Sequence, residues 1–328
     1  MDEMPVILQQ DLDPVIEELL KTKFNDEHNA SFFVPAFQSR LNELVRLVSF
    51  SDTNPMMIKE LKFIIGELPE FKIRIYDTAP DFNKPVLVYF HGGNWVAGNL
   101  ETCDHICRTL AEGSGYTVVS VDYALAPEYH FPVPLYQGLE VINWIKKQGL
   151  YFGMDHKRIV VGGDNAGGNI AAGLVNLLHH TRGDKLFGQL LICPALEYYF
   201  DTPSYLEYDE GYLISRAVMQ QSWRMYLEKI EDGHSEFASP VLAGSVAHAP
   251  PTLIYTAGYD PLRDEAEKYA VRLQQEGVTV SLKCYRSVTH YFWLMGGILN
   301  TACKAHKSAI DFLLSINTRD QTHKITGK

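Results

Sequence analysis

The segment Arg158-Ile-Val-Val-Gly-Gly-Asp-Asn-Ala-Gly-Gly-Asn-Ile-Ala-Ala constrains the fold more than any other stretch of the chain. A short apolar run reads as a buried strand. It passes straight into Gly163-Asp164-Asn165-Ala166-Gly167, and an alanine-rich helix follows. Glycines two before and two after residue 165 let a sharp turn pass its neighbours and lift the central side chain above a sheet. The helix N-terminus faces the same point, so free amides would stabilise an anion developing there. This is the setting of a nucleophile elbow, G-x-S-x-G, with asparagine where serine is expected. A carboxamide has no ionisable proton and is a poor nucleophile, yet asparagine tolerates the positive φ of such a turn. Taken alone, the segment is also compatible with a glycine-rich phosphate-binding turn. Its glycine spacing is not that of a dinucleotide fingerprint, however, and the P-loop lysine is absent.

The surrounding pattern fits strands alternating with helices. Phe71 to Tyr76 alternates apolar and polar residues, as a half-buried strand does. Continuous apolar runs at Pro85 to Phe90, Thr117 to Val121, Arg158 to Val161, Gln189 to Ile192, Thr252 to Thr256 and Val278 to Tyr285 read as further strands. Helical stretches lie between them at Gln137 to Lys147, Ala166 to Leu178 and Asp264 to Gln275. The expected fold is α/β, a mostly parallel central sheet with helices on both faces. Residues 1–68 read as a helical segment that begins with Asp13 as a cap and Pro14 in the first turn. Residues 197–233 interrupt the alternation, are rich in tyrosine and look helical near Ser215 to Lys229. These two segments are expected to form a helical cap over a main domain at 69–316, and the polar stretch 317–328 is expected to be a loose tail.

Charge and composition remove several function classes. The chain has 328 residues and a formal net charge of −11, with no dense Lys/Arg cluster. Nucleic acid and anionic membrane surfaces are therefore not expected partners. No apolar run is long enough for a transmembrane helix, and no secretory leader pattern is evident. Five cysteines, odd in number and widely spread, suit free thiols in a reducing, cytoplasmic setting.

Three further motifs fall at the ends of predicted strands. His91-Gly92-Gly93-Asn94-Trp95 follows the strand ending at Phe90, where glycine-rich loops supply amides to an oxyanion hole. Asp260 follows the strand at Thr252 to Thr256, and His290 follows the one ending near Tyr285. An acid in the first place can orient a histidine in the second, which can act as general base. Singly, each has an ordinary alternative: a glycine turn, a solvated or capping acid, an exposed loop histidine. In chain order they match the nucleophile, acid, histidine sequence of the α/β-hydrolases.

These strings, with Val121-Asp-Tyr-Ala-Leu-Ala-Pro-Glu, Phe131-Pro132, Ser239-Pro240 and Asp260-Pro-Leu-Arg-Asp-Glu, resemble the hormone-sensitive-lipase-like branch of the α/β-hydrolases over roughly residues 70 to 315. The resemblance implies an α/β-hydrolase fold and carboxylic-ester hydrolysis without a cofactor or metal. It implies the nucleophile position at residue 165, Asp260 as the orienting acid and His290 as the base. The oxyanion hole would come from the loop His91, Gly92, Gly93, Asn94 together with Ala166. The chain departs from the family pattern at Asn165 for serine, Asn94 for glycine, Ala124 for arginine and Tyr291 for glycine.

Four consequences of Asn165 stay open on sequence alone. The chain is an inactive pseudo-esterase or receptor-like protein that binds a small apolar ester or carboxylic acid. Residue 165 is instead an engineered or variant residue in an active esterase. A water activated by His290 supports residual hydrolysis. Deamidation yields an aspartate nucleophile. Two weaker signals remain. Cys103, His105 and Cys107 lack the further ligands of a zinc site. Tyr198, Tyr199, Phe200, Tyr205, Tyr208 and Tyr212 could line an acyl pocket or pack on the core. An exposed edge after the last strand leaves room for a homodimer.

Overall fold

The computed structural model describes residues 11–22, 34–49, 56–78, 81–182 and 185–326. The first helix among the described residues is α1 (Pro14–Leu20), where the Asp13 side chain accepts the Val15 N–H at 3.0 Å, as the cap reading requires. Next comes α2 (Val34–Val48), which turns Leu41, Leu44, Val45 and Val48 inward. The main body then runs β1 (Met57–Phe63), β2 (Phe71–Asp77), β3 (Lys84–Phe90), α3 (Asp104–Ser114), β4 (Thr117–Asp122), α4 (Val133–Gln148), β5 (Met154–Asp164) and α5 (Ala166–Arg182). It continues with β6 (Gly188–Ile192), α6 (Pro203–Glu207), α7 (Arg216–Tyr226), β7 (Thr252–Tyr259), α8 (Arg263–Gln275), β8 (Val280–Thr289) and α9 (Asn300–Thr326).

The eight strands form one sheet in the order β1-β2-β4-β3-β5-β6-β7-β8. Pairings involving β2 are antiparallel and the rest are parallel. Every residue of β3, β6 and β7 is buried, which is why these strands appear in the sequence as unbroken apolar runs. The strand order reverses about β3. In an open α/β sheet the crevice outside the C-terminal strand ends at such a reversal is where a ligand sits. The ends of β3, β5, β7 and β8 all reach that side.

Two elements differ from the sequence reading. The segment 1–68 is not wholly helical, because Met57–Phe63 adds an antiparallel edge strand, with Ile58 opposite Tyr76 and Leu61 opposite Ile73. Most of β1 is solvent-exposed, so its Lys59-Glu60-Leu61-Lys62 carries no apolar run to announce it. Arg74 on β2 holds Glu60 at 2.6 Å across the pair. The second difference is the C-terminal stretch, which is not a loose tail: α9 continues through Thr326. Residues 317–326 contain neither glycine nor proline, so nothing in them stops the helix. The Arg158 guanidinium also fixes Asn317 with a 2.6 Å hydrogen bond.

The core contains histidines that must stay neutral. His306 on α9 lies edge-on to Trp293, with ring centroids 4.5 Å apart, and its Nε2–H donates to the Trp293 carbonyl at 2.8 Å. Burial pushes its pKa down to about 4, against about 6.5 in the unfolded chain. The folded state therefore resists a proton that the unfolded state accepts. The stability contribution is complete above pH 6.5 and is lost as pH falls towards 4. His306→Gln removes this titration while keeping a donor. Between pH 7 and pH 5 the variant is expected to lose about 2 kcal/mol less stability than the parent. Urea unfolding at the two pH values measures this, and an equal loss in both proteins would contradict it.

Candidate active site

The site is built at the elbow between β5 and α5. Asn165 occupies the turn with φ 52°, the left-handed region that asparagine enters more readily than most residues. Its N–H donates to Ile192 O at 2.9 Å, pinning the turn to the end of β6. Two glycines let the neighbouring backbones close in. A Cβ on Gly167 would lie 1.9 Å from the Phe90 carbonyl oxygen, and one on Gly92 would lie 2.1 Å from Asp164 Oδ2. The elbow and the loop after β3 are thus in direct backbone contact.

The Asn165 carboxamide makes two short bonds with opposite polarity. Its Oδ1 accepts the Asn94 backbone N–H at 2.7 Å. Its Nδ2 lies 2.9 Å from His290 Nε2, and since an amide nitrogen only donates, that ring nitrogen must be the acceptor. His290 Nδ1 then carries the ring proton and donates to Asp260 Oδ2 at 2.9 Å. Asp260 also accepts the Leu262 N–H at 2.9 Å. One hydrogen-bonded line therefore runs from Asn94 through Asn165 and His290 to Asp260, across the ends of β3, β5, β8 and β7. All four side chains are buried.

The other predicted residues are placed as follows. The His91 ring stacks on Tyr123 with centroids 4.2 Å apart and points Nδ1 at Gly92 O, 2.7 Å away. Burial pushes its pKa down to about 4. Through these two contacts the ring braces the loop. Gly93, with φ 117°, turns the chain so that Ala97 N–H returns to Gly93 O at 2.9 Å. Ala166 is the first residue of α5, so its amide belongs to the first turn, where N–H groups have no partner within the helix.

The family model for the alpha/beta hydrolase fold matches residues 87–294. The chain belongs to that family.

Carboxylesterase NlhH of Mycobacterium tuberculosis is 32% identical to this α/β hydrolase over 310 residues, covering 92% of this chain and 95% of that one. An arylesterase of Saccharolobus solfataricus is 33% identical over 274 residues, covering 81% and 87%. Among solved structures, an esterase of Pyrobaculum calidifontis superposes with a TM-score of 0.85 at 32% identity, covering 93% of this chain and 99% of that one.

The site of this α/β hydrolase also contains groups that sequence patterns did not single out. Asp164 is buried beside the elbow, accepts the Tyr89 hydroxyl at 2.7 Å and is pushed up to about 6 by burial. Tyr89 in turn accepts the Trp293 indole N–H at 3.0 Å. Cys193 directly follows β6, beside the histidine. Its sulfur lies within 4.8 Å of the Asp260 and His290 ligand atoms, the one cluster among the described residues with the spacing of a metal site. It is ill suited to a metal: burial pushes the Cys193 thiol well up, so it stays protonated, and Asp260 and His290 are bonded to each other. A strand-end rule applied to β6 would have found Cys193, since catalytic side gathers every strand terminus. Cys103 bonds Ser120 at 3.2 Å and faces the core beside Cys107.

Of the six aromatic residues at 198–212, Tyr205 and Tyr208 are buried. They pack into one another's clusters, Tyr208 with Tyr212 and Tyr259, Tyr198 with Phe200 and Trp223. A small cavity beside the loop after β3 is lined by Leu41, His91, Thr102, Cys103, Asp164, Tyr291 and Leu294, with Gly92 and Gly93. No helix among the described residues is long and apolar enough to cross a membrane.

Proposed function

We propose that this α/β hydrolase is an esterase scaffold silenced at its nucleophile position, and that it binds a small acyl compound without turning it over. The observation that carries the reading is the Asn165 carboxamide, which is bonded at once to the Asn94 amide and to His290 Nε2. In an active site of this kind the base must accept a hydroxyl proton, and the loop amides must donate hydrogen bonds to the substrate oxygen as it becomes an anion. Asn165 supplies a poor nucleophile to the first and occupies the second with its own oxygen.

The roles follow from position. His290 is the base, held in one tautomer by Asp260. The amides of Gly93, Asn94 and Ala166 form the oxyanion hole, and His91 and Gly92 shape the loop that carries them. The helices α1 and α2, with residues 197–233, form a cap. Trp223 and Tyr226 of α7 in that cap pack against Trp95 of the loop, with centroids 4.4 and 4.6 Å away. The similarity to a carboxylesterase and an arylesterase supports a small ester or its acid as the ligand class.

The test is the purified protein with p-nitrophenyl acetate. Turnover is expected to stay within about 10³–10⁴ of the reaction in water, the level that remains when a triad nucleophile is removed. A kcat near the enzyme median of about 10 s⁻¹ would overturn the reading.

A further inference from the structure

Tyr291 directly follows the base and stands where the family pattern has glycine. It belongs to a short helical turn, His290–Leu294, in which every residue is buried. The Tyr291 and His290 rings meet edge to face, with centroids 4.9 Å apart. Tyr291 also lines the small cavity beside the loop after β3, together with Leu41 of α2 and Leu294. Gly92, Gly93 and Asp164 supply further walls. The cavity thus touches the chain neighbours of three residues on the hydrogen-bonded line: Gly93 before Asn94, Asp164 before Asn165 and Tyr291 after His290. It has room for about one water-sized group, and a methyl is of similar size.

We infer that Tyr291, with Leu41 and Leu294, sets the acyl length this site accepts and limits it to an acetyl-sized group. This rests on the proposed function above and narrows the ligand class for the same site. An acyl compound whose oxygen meets the Gly93 and Asn94 amides holds its carbonyl carbon beside residue 165. Its chain then runs past Gly92 and Gly93 into the cavity. A methyl fills that space. Each further methylene meets Tyr291, Leu41 or Leu294, all of them buried. Side chains in a close-packed interior do not give way to added bulk without strain. With glycine at 291 the ring is gone, and the space it filled is added to the cavity. Apolar walls separate chains by length, at about tenfold or more per methylene. Because Leu41 belongs to α2, the cap takes part in the choice.

The test uses full-length Asn165→Ser with p-nitrophenyl acetate and p-nitrophenyl hexanoate, which share a leaving group. Its kcat/KM is expected to favour the acetate by at least about tenfold. Adding Tyr291→Gly is expected to move the acetate-to-hexanoate ratio towards hexanoate by at least about tenfold, whereas Tyr291→Phe keeps the bulk and the ratio. The ratio cancels any loss shared by both esters, such as looser packing of the His290 ring. Leu41→Ala enlarges another wall and is expected to move the ratio the same way, so the test stands even if Tyr291→Gly does not fold. A ratio that neither enlarging variant moves would overturn the inference. So would a preference for hexanoate before enlargement, or a shift by Tyr291→Phe as large as that by Tyr291→Gly. No turnover by Asn165→Ser would count against silencing at residue 165 alone, and calorimetry with methyl hexanoate then decides the inference. The unaltered chain is expected to show no saturable binding, and Tyr291→Gly or Leu41→Ala to gain it. Binding by the unaltered chain, or by neither variant, contradicts the role given to Tyr291.

Discussion

Asn165→Ser is expected to raise turnover of p-nitrophenyl acetate by at least about a thousandfold, since loss of a triad serine costs about 10⁶ in kcat elsewhere. The rest of the line is already in place. His290 Nε2 stands as an acceptor 2.9 Å from the residue-165 side chain, and its other nitrogen is held by Asp260 at 2.9 Å. Removing the carboxamide also frees the Asn94 N–H to receive a substrate oxygen. Serine places one O–H where a proton can pass to His290, and the elbow needs no other change. The kinetics should be ping-pong, with a burst of nitrophenol if deacylation is slow. Asn165→Ser combined with His290→Ala should fall back to the parent level. A serine variant no faster than the parent would mean that the loop or cap is also unfit for ester chemistry, and would reassign the silencing to more than one residue.

Gly167→Ala is expected to destabilise the protein by about 3 kcal/mol or more, at the upper end of overpacking effects. The added methyl would meet the Phe90 carbonyl oxygen at 1.9 Å and its carbon at 2.4 Å, both backbone atoms at the end of a fully buried central strand. Neither side can give way: β3 is paired with β4 and β5, and Gly167 lies in the first turn of α5. Gly115→Ala serves as the control, because its Cβ would meet nothing within 4 Å and only its φ of 70° is unfavourable. Chemical denaturation should rank Gly167→Ala well below Gly115→Ala. Equal midpoints would show that the elbow yields more easily than its contacts imply.

Much of the sheet was legible because burial on both faces leaves a mark in the sequence. β3, β4, β6 and β7 are apolar nearly throughout, so their bounds follow from the apolar runs to within a few residues. β1 is not legible because an edge strand paired on one side needs no apolar run, and Lys59, Glu60 and Lys62 carry none. The length of α9 is not legible in its polarity, because a polar stretch without glycine or proline can extend a helix already anchored by packing.

At the site, Asn165, Asp260 and His290 could be named from strand ends and chain order, and the structure brings them onto one line. What the sequence could not convey is how an asparagine behaves there. That its oxygen meets Asn94 while its nitrogen meets His290 depends on where two distant loops arrive. The surroundings of Asn94 and the position of Cys193 are invisible for the same reason: both are facts about neighbours at least 67 positions away in the chain.

The closed line from Asn94 to Asp260 also bears on how this chain could change. Asparagine and serine codons of the AAY and AGY types differ by a single transition. Because His290 is already hydrogen-bonded and in the receptive tautomer, on the proposed reading one base separates the silenced form from a hydrolase, with no intermediate that must fold differently. Selection on growth from a short-chain ester should therefore find residue 165 first, before any change in the loop or cap.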